Sequence, residues 1–342
     1  MISEKIYRIL KKRIADGVYA PGSRFPSEDT LLQEFSVSKV TINKIVSKLV
    51  NEELLVRGVR GAGTRVARQI FRPAGHIAFI GKLNAFTMEI LRGVQKECLH
   101  QHIFPIIFCP EADELTFCLS TMNKKNVLGI ITVGYGIIKT PDGLPTVCLD
   151  YNLPHQLSDE SISFISSDNF SGGKNMIREV LKRGHREIAI FSSERFVLSK
   201  DAPVAPRISG FYAALQEAGY SDFAERTFYG MPNSLPDAKT CLSSILEKYP
   251  DVSIICTDSD HSAELLHKAA KSMNISCPGE IALTGFGNVS NLEIASVNQH
   301  PERQGQLAVR RITTLQNDDS VPREEDVETE LTGIEFIPIR IR

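Results

Sequence analysis

The sequence lacks the long apolar run of a membrane-spanning helix and the paired cysteines of a disulfide or zinc framework. No stretch reaches the ~18 consecutive apolar residues of such a helix, and the opening MISEKIYRILKKR has no apolar signal core. The seven cysteines form no CxxC pair, and most lie beside apolar residues. These absences predict a cytoplasmic protein whose thiols are reduced and buried.

Sequence motifs of catalysis are missing as well. The chain has no GxSxG nucleophile elbow, no HExxH motif and no GxGxxG segment after a predicted strand. His100 and His102 could be metal ligands, but no further ligand cluster accompanies them, and a solvated helix end is the simpler interpretation. Asp258, Asp260 and His261 resemble the lip of a cleft more than a metal triad. We therefore expect no enzyme activity, no cofactor and no metal site.

Charge is distributed unevenly along the 342 residues. Residues 1–72 contain fourteen Lys and Arg against seven Asp and Glu, a net charge of +7, whereas the remainder has a net charge of −9. With 42% hydrophobic and 23% charged residues, the composition is that of an ordinary globular protein of two or three domains. The asymmetry predicts that only the N-terminal segment binds a polyanion.

Residues 1–68 show the pattern of three helices followed by a hairpin. Apolar residues recur at helical spacing over residues 6–14, which predicts a first helix. Ser27 precedes a short second helix whose first turn is acidic, and a third helix is predicted over residues 39–51. Two short β-prone segments, residues 54–57 and 64–67, then flank a glycine-rich tip. This order predicts a winged helix.

A winged helix has the geometry to bind DNA. The third helix fits a major groove, where short polar side chains near its N-terminus reach base edges. Glycines let the hairpin tip approach the sugar-phosphate wall, and Arg60 and Arg65 can neutralise phosphates or enter the minor groove. The alternative is a solvated basic domain that contacts other proteins.

The N-terminal segment resembles the GntR-type winged helix in the stretches IADGVYAPG (14–22), FPSE (25–28), FSVSKVT (35–41) and GAGT (61–64). In that family three basic residues contact DNA; Lys39 matches one, while Asp29 and Asn43 occupy the other two positions. Asn43 can still read adenine through two hydrogen bonds. The residues expected to contact DNA are Ser27, Ser38, Lys39, Thr41, Asn43, Lys44, Arg60, Gly61, Gly63 and Thr64.

After a linker at residues 69–75, apolar strand-like runs alternate with helical patterns to the end of the chain. Such alternation predicts parallel sheets with helices on both faces, and more than nine strands predict two lobes. We expect lobe 1 at about residues 76–163 and 300–318, and lobe 2 at about 164–299 and 320–342. The hinge would then consist of three crossovers, near residues 163–166, 297–300 and 318–322.

Polar residues follow several predicted strands, where ligands of parallel sheets bind. Asp150, Asp168-Asn169, Asp258-Ser-Asp260 and Gly287-Asn288 stand at such ends. Carboxylates, amides and a guanidinium that converge on one cleft suit a hydroxyl-rich solute. Asp168 and Asn169 could instead cap the helix that follows them.

Residues 76–340 resemble the LacI/GalR-type effector-binding domain in the stretches SDN (167–169), LKRGHREIAI (181–190), RISGF (207–211), TDSDHSA (257–263) and VNQ (297–299). In that family the positions matched by Arg207 and Asp260 bind effector, and Gly287 replaces an acid. The residues expected to bind effector are Phe86, Tyr135, Asp150, Arg207, Asp260, Asn288 and Gln299. Arg207 could also be a surface ion pair, and Phe86 and Tyr135 could pack in the core.

A GntR-type winged helix followed by a LacI/GalR-type body resembles the arabinose repressor group of bacterial regulators. The resemblance implies a homodimeric, cytoplasmic, carbohydrate-responsive repressor that binds a two-fold symmetric operator, with a sugar or similar polar molecule between the lobes. The alternatives are a sugar-binding module and a sugar-active enzyme with a DNA-binding appendage.

Overall fold

The computed structural model describes residues 2–58, 63–67, 74–123, 127–135, 143–150, 161–193, 204–230, 234–315 and 322–340. The chain divides into two compact units, Met1–Pro73, which we call the head, and Ala74–Arg342, which we call the body. No helix in the described ranges is long and apolar enough to cross a membrane.

The head is the predicted winged helix. Its helices are α1 (Ile2–Ala15), α2 (Glu28–Phe35) and α3 (Lys39–Asn51), and its hairpin pairs β1 (Leu55–Arg57) antiparallel with β2 (Thr64–Val66). Helices α2 and α3 begin where Ser27 and Ser38 accept hydrogen bonds from backbone N–H groups of the first turn. The apolar faces of all three helices enclose one core, whose fully buried members include Leu10, Leu31, Ile42 and Leu49.

The body begins with β3 (Gly75–Gly81), α4 (Ala85–His100), β4 (Ile103–Phe108), α5 (Leu115–Ser120), β5 (Gly129–Val133), β6 (Thr146–Leu149), β7 (Ile162–Ser167), α6 (Asn169–Lys182) and β8 (Ile188–Ser192). It continues with α7 (Val204–Glu217), β9 (Thr227–Tyr229), α8 (Leu235–Lys248), β10 (Ile254–Thr257), α9 (Asp260–Ser272), β11 (Ala282–Gly287), β12 (Ala295–Asn298), α10 (Pro301–Leu315), β13 (Glu324–Val327) and β14 (Glu330–Thr332).

These strands form two six-stranded sheets of equivalent order, which confirms the two-lobed α/β prediction. Lobe 1 has the order β13-β7-β6-β5-β3-β4, and lobe 2 has the order β14-β12-β11-β10-β8-β9. Every pairing in them is parallel except that of β12 with β14. Alternate residues of each central strand face opposite helix layers, so both faces of the central strands are buried and their sequences are mostly apolar.

The crossovers between the lobes partly correct the predicted boundaries. The first follows Ser167, because residues 162–167 all belong to β7 of lobe 1, rather than lying at 163–166. The second, at residues 299–300, agrees with the prediction. The third lies at residues 328–329 and not at 318–322, because the acidic segment Glu324–Val327 pairs with β7 and still belongs to lobe 1.

None of the seven cysteines, all of which the structure describes, is joined to another by a disulfide. Burial raises the pKa of Cys98 and of Cys256 to about 12, which keeps both protonated at neutral pH. Cys109 is exposed, contrary to the predicted burial of the thiols. It directly follows β4, which is one of the two edge strands of lobe 1.

Candidate effector site and DNA-binding surface

Arg207 on α7 lies at the centre of a polar cluster in the body. Its side chain is only 7% exposed, which excludes the surface ion pair considered above. Nε donates to Asn169 Oδ1 at 2.9 Å and Nη1 donates to the backbone oxygen of Asp258 at 3.0 Å. The guanidinium also lies 4.4 Å from the ring centre of Phe286. These contacts hold the cation in one orientation at the carboxyl ends of the strands of lobe 2.

Asp150 brings a carboxylate from lobe 1 to this cluster. It follows β6 directly, with a left-handed φ of 51°, and its Oδ1 lies 3.4 Å from Arg207 Nη2. Gln299, in the second crossover, donates through Nε2 to Asn169 Oδ1 at 3.1 Å and approaches Asp150 Oδ1 at 3.4 Å. The structure thus brings together three of the predicted effector residues, and they span both lobes. We call Asp150, Asn169, Arg207 and Gln299 the interlobe cluster.

Burial raises the pKa of the Asp150 carboxyl above its usual value, and the Arg207 guanidinium and the Gln299 amide oppose that shift. The desolvation of the carboxylate is therefore only partly offset by its partners. A solute that donates hydrogen bonds to Asp150 would complete the compensation, which is a physical reason for a polar ligand to bind at this place.

An Asp150→Asn protein is expected to lose one part of the pH dependence of stability. Above the usual aspartate pKa of about 3.9 and up to the raised value, the folded protein binds more protons than the unfolded chain. The wild-type free energy of unfolding therefore falls as pH rises through that window. The asparagine side chain of the variant does not titrate. The free energy of unfolding of the variant should therefore rise relative to that of the wild type as the pH increases from acidic to neutral. Urea unfolding over a pH series measures the shift.

The control for this series is Asp113→Asn, which changes an exposed aspartate of lobe 1. Its stability relative to the wild type gives the baseline for removal of an exposed carboxyl. A difference between Asp150→Asn and the wild type that does not change with pH would contradict the raised pKa.

Asp260 lies elsewhere, under the loop that follows β11. Its Oδ2 accepts from the backbone N–H groups of Val289 at 2.6 Å and Ser290 at 3.1 Å, and its Oδ1 accepts from the Ser296 hydroxyl. The residue is buried and its carboxylate is bonded within lobe 2. In this structure Asp260 holds the loop in place and does not join the interlobe cluster.

The remaining predicted effector residues are also apart from the cluster contacts. Phe86 is half-buried against the core of lobe 1, and the Tyr135 hydroxyl donates to the Pro110 backbone oxygen. Asn288 is exposed, has a φ of 55° and accepts from the Thr332 hydroxyl at 2.9 Å. It lines a cavity of about 750 Å³ together with the first turns of α4 and α10. That volume is large enough for a small solute.

Three residues of the cluster region, Asp168, Asn169 and Gln304, could not be assigned from their sequence context. Asp168 and Asn169 were both candidates for helix capping, and the structure separates them: Asp168 caps α6 through the Ser171 N–H at 2.9 Å, whereas Asn169 contacts Arg207. Gln304, on a helix outside the predicted elements, is fully buried and donates to Ser167 Oγ and to the Gln299 backbone oxygen, both at 2.9 Å. It thereby connects the first and second crossovers.

In the head, α3 presents an exposed polar row. Lys39, Asn43 and Lys44 are exposed on this helix. Ser38 Oγ accepts from the Thr41 N–H at 3.3 Å, so these two residues form the start of the helix. Ser27 does the same for α2 with the Thr30 N–H at 3.1 Å.

The hairpin continues this surface. Gly63 has a φ of 73°, which favours glycine, and Thr64 begins β2. Arg57, at the end of β1, donates through Nη2 to Asn43 Oδ1 at 3.2 Å and to Ser47 Oγ at 2.9 Å. The predicted contacts Arg60 and Gly61 lie outside the described residues.

Curated relatives match over most of the chain. The arabinose metabolism transcriptional repressor of Halalkalibacterium halodurans is 24% identical over 330 residues, which cover 86% of this chain and 83% of that protein. The HTH-type transcriptional repressor PurR of Histophilus somni is 24% identical over 66% of this chain and 69% of its own.

Among solved structures, a complex of the transcriptional regulator CelR with cellobiose has a TM-score of 0.60 and 19% identity, and covers 94% of this chain and 93% of that chain. A LacI family regulator from Enterococcus faecium with bound ribose has a TM-score of 0.62 and 18% identity over 75% of this chain and 96% of its own. At these identities the structural likeness establishes the fold.

Family models match both units. Residues 2–66 match the gntR family of bacterial regulatory proteins, and residues 177–333 match a periplasmic binding protein-like domain. The chain thus joins an N-terminal segment that matches the gntR family of bacterial regulatory proteins to a segment that matches a periplasmic binding protein-like domain.

Proposed function

We propose that the protein is an effector-responsive transcriptional repressor. Two heads of a homodimer bind a two-fold symmetric operator, and a sugar or similar polar molecule binds between the lobes and changes the affinity for DNA. The observation that carries the proposal is the interlobe cluster, in which a buried guanidinium of lobe 2 meets a carboxylate of lobe 1. The curated relatives are named as repressors, and two of the similar structures hold a sugar.

The chemistry of the cluster favours a hydroxyl-rich effector. The fixed guanidinium of Arg207 donates, the carboxylate of Asp150 accepts, and the amides of Asn169 and Gln299 do both. Each hydroxyl of a sugar also donates and accepts, so vicinal hydroxyls can bridge such groups. Because these side chains belong to both lobes, a bound solute would bias the angle between the lobes.

Effector binding and DNA binding must then be reciprocally coupled. Typical coupling energies of ~1–3 kcal/mol shift an affinity roughly 5–150-fold. The alternative, a sugar-active enzyme with a DNA-binding appendage, would release a product from the bound sugar. Conversion of any bound solute by the purified protein would favour that alternative and contradict the proposal.

The test is selection of bound fragments from the source genome by the purified full-length protein near physiological salt. We expect recovery of a short two-fold symmetric site, with occupancy changed by addition of a pooled sugar mixture. Recovery of no preferred sequence in either condition would contradict the proposal. Recovery of a preferred site whose occupancy does not change with any added sugar would support DNA recognition by the head and contradict control by a sugar effector.

A Lys39→Ala protein is expected to bind the operator more weakly and with a smaller salt dependence. Lys39 is exposed at the start of α3, where a phosphate of the groove wall would lie. Loss of one phosphate contact per head reduces the slope of log K against log [salt] by about 1 for each contact. Titrations of the operator at several salt concentrations measure the slope.

The matched control is Lys12→Ala, which removes an exposed lysine from α1. It should leave the slope unchanged. An unchanged slope for Lys39→Ala would show that Lys39 does not contact a phosphate.

A further inference from the structure

The recognition helix and the hairpin of the head share a polar contact through Arg57. Lys39, Asn43 and Ser47 follow one another at four-residue spacing, so they form a row along one face of α3. Arg57 extends over this row from β1, and its Nη2 reaches both Asn43 Oδ1 and Ser47 Oγ. Both Asn43 and Arg57 are exposed, so the contact lies on the surface of the head.

The guanidinium of Arg57 keeps most of its hydrogen-bonding capacity. A guanidinium carries five N–H groups, and the contacts of Arg57 with the described residues use Nη2 alone. No carboxylate in the described part of the chain forms an ion pair with Arg57. Among the described residues, the partners that hold it are a neutral amide and a neutral hydroxyl, and neither neutralises its positive charge.

The same contact restricts Asn43. To read adenine, an asparagine must accept from the adenine amino group through Oδ1 while it donates to N7 through Nδ2. The Oδ1 atom has two lone pairs and already accepts from Arg57 at 3.2 Å and from Ser47 at 3.4 Å. Asn43 can therefore read adenine only after its contact with Arg57 or with Ser47 breaks.

We propose that Arg57 reads a guanine in the major groove of the operator, and that Asn43 and Ser47 are positioning residues that hold its guanidinium over the recognition helix. The proposal rests on the proposed function of the head as an operator reader. A fork to the O6 and N7 acceptors of guanine needs Nη2 together with Nη1 or Nε. Nη2 carries two N–H groups and can supply one to this fork when the other is shared between Asn43 Oδ1 and Ser47 Oγ, which lie 3.4 Å apart. The hairpin strand then contributes directly to sequence specificity.

The experiment measures affinities of the full-length protein for the selected operator and for a panel in which each base pair is replaced symmetrically. The wild type is compared with Arg57→Ala, Arg57→Lys and Asn43→Ala, and with Arg8→Ala as the control for loss of an exposed arginine of α1. Thermal melting of each variant shows that it is folded. Because Arg57 is exposed, we expect no large loss of stability.

We expect the wild type to discriminate roughly 5- to 150-fold at one G·C pair in each half-site. Arg57→Ala should lower that discrimination to about twofold or less. Arg57→Lys should also lower it, because an ammonium group lacks the two parallel N–H donors of a guanidinium. Asn43→Ala should weaken discrimination at the same G·C pair. The control should keep the whole profile.

Three results would overturn the proposal. The first is an Arg57→Ala protein that binds every member of the panel equally more weakly with a smaller salt slope, which is the behaviour of a phosphate contact. The second is an Asn43→Ala protein that loses discrimination at an A·T pair which Arg57→Ala leaves intact. The third is a wild type without any preferred site, in which case the proposed function of the head is contradicted as well.

Discussion

An Arg207→Ala protein is expected to bind the operator with wild-type affinity and to lose its response to effector. Arg207 is the buried cation of the interlobe cluster, and it is held by Asn169, by the Asp258 backbone oxygen and by the ring of Phe286. Hydrogen bonds to a charged group contribute about 1.5–3 kcal/mol each. Loss of one such bond to a polar effector lowers its affinity roughly 10- to 150-fold.

The same substitution leaves acceptors of the cluster without their donor. The Asp258 backbone oxygen loses its Nη1 donor, Asn169 Oδ1 keeps the Gln299 donor alone, and Asp150 loses the nearby positive charge that opposes its desolvation. An unsatisfied buried polar group costs about 1–3 kcal/mol, so the melting temperature of the body should fall. Arg207→Lys keeps the positive charge but loses the planar set of N–H donors of the guanidinium. We therefore expect this variant to lose more effector affinity than stability.

Calorimetry with the responsive sugar and operator titrations with and without it measure these effects. Arg226→Ala is the control, because Arg226 is another ion-paired guanidinium of lobe 2, bonded to Asp222 at 2.9 Å and lying over the ring of Tyr249. It should lose stability and keep the effector response. A normal response in Arg207→Ala would place the effector away from the interlobe cluster.

The features that the sequence could predict are those set by local patterns. The central strands of the body are buried on both faces, so segments such as Ile254–Thr257 are mostly apolar and can be recognised. In the head, Ser27 and Ser38 mark two helix starts by their own hydrogen-bonding chemistry. Arg207, Asp150 and Gln299 were identified because each matches a position in a family resemblance and two of them follow strands.

The features that the sequence could not predict depend on partners distant in the chain. The segment Glu324–Val327 is acidic and unfavourable as a strand, and it becomes one through backbone pairing with β7. Asp260 resembles a cleft residue, yet its carboxylate is bonded to a loop some thirty residues away. The contact of Arg57 with Asn43 likewise requires the hairpin to fold back on α3.

A second large effect is expected where two helices of lobe 1 touch through glycines. On α4, a Cβ added to Gly93 would lie 1.9 Å from the Glu302 backbone oxygen of α10. Reciprocally, a Cβ on Gly305 of α10 would lie 2.1 Å from the Ile90 backbone oxygen of α4. Both obstacles are backbone atoms, which no rotamer change can remove. The two helices therefore pack at a distance that only glycine permits.

A Gly93→Ala protein should consequently be destabilised, although alanine is the better helix former by ~1 kcal/mol. Overpacking in a closed core costs about 1–3 kcal/mol, and a backbone obstacle places this site at or above the upper end. We expect a net loss of about 2 kcal/mol in the free energy of unfolding, measured by urea denaturation. Gln95→Ala, an exposed change on the same helix, should be neutral or slightly stabilising.

The displacement of α10 that this methyl group requires should also reach the hinge. Gln304 lies on α10 beside Gly305 and donates to both the first and the second crossover. A shift of the helix lengthens those hydrogen bonds, so Gly93→Ala should weaken effector binding as well as stability although Gly93 is not part of the interlobe cluster. If stability falls while effector affinity stays at the wild-type value, the contacts of Gln304 do not set the geometry of the cleft.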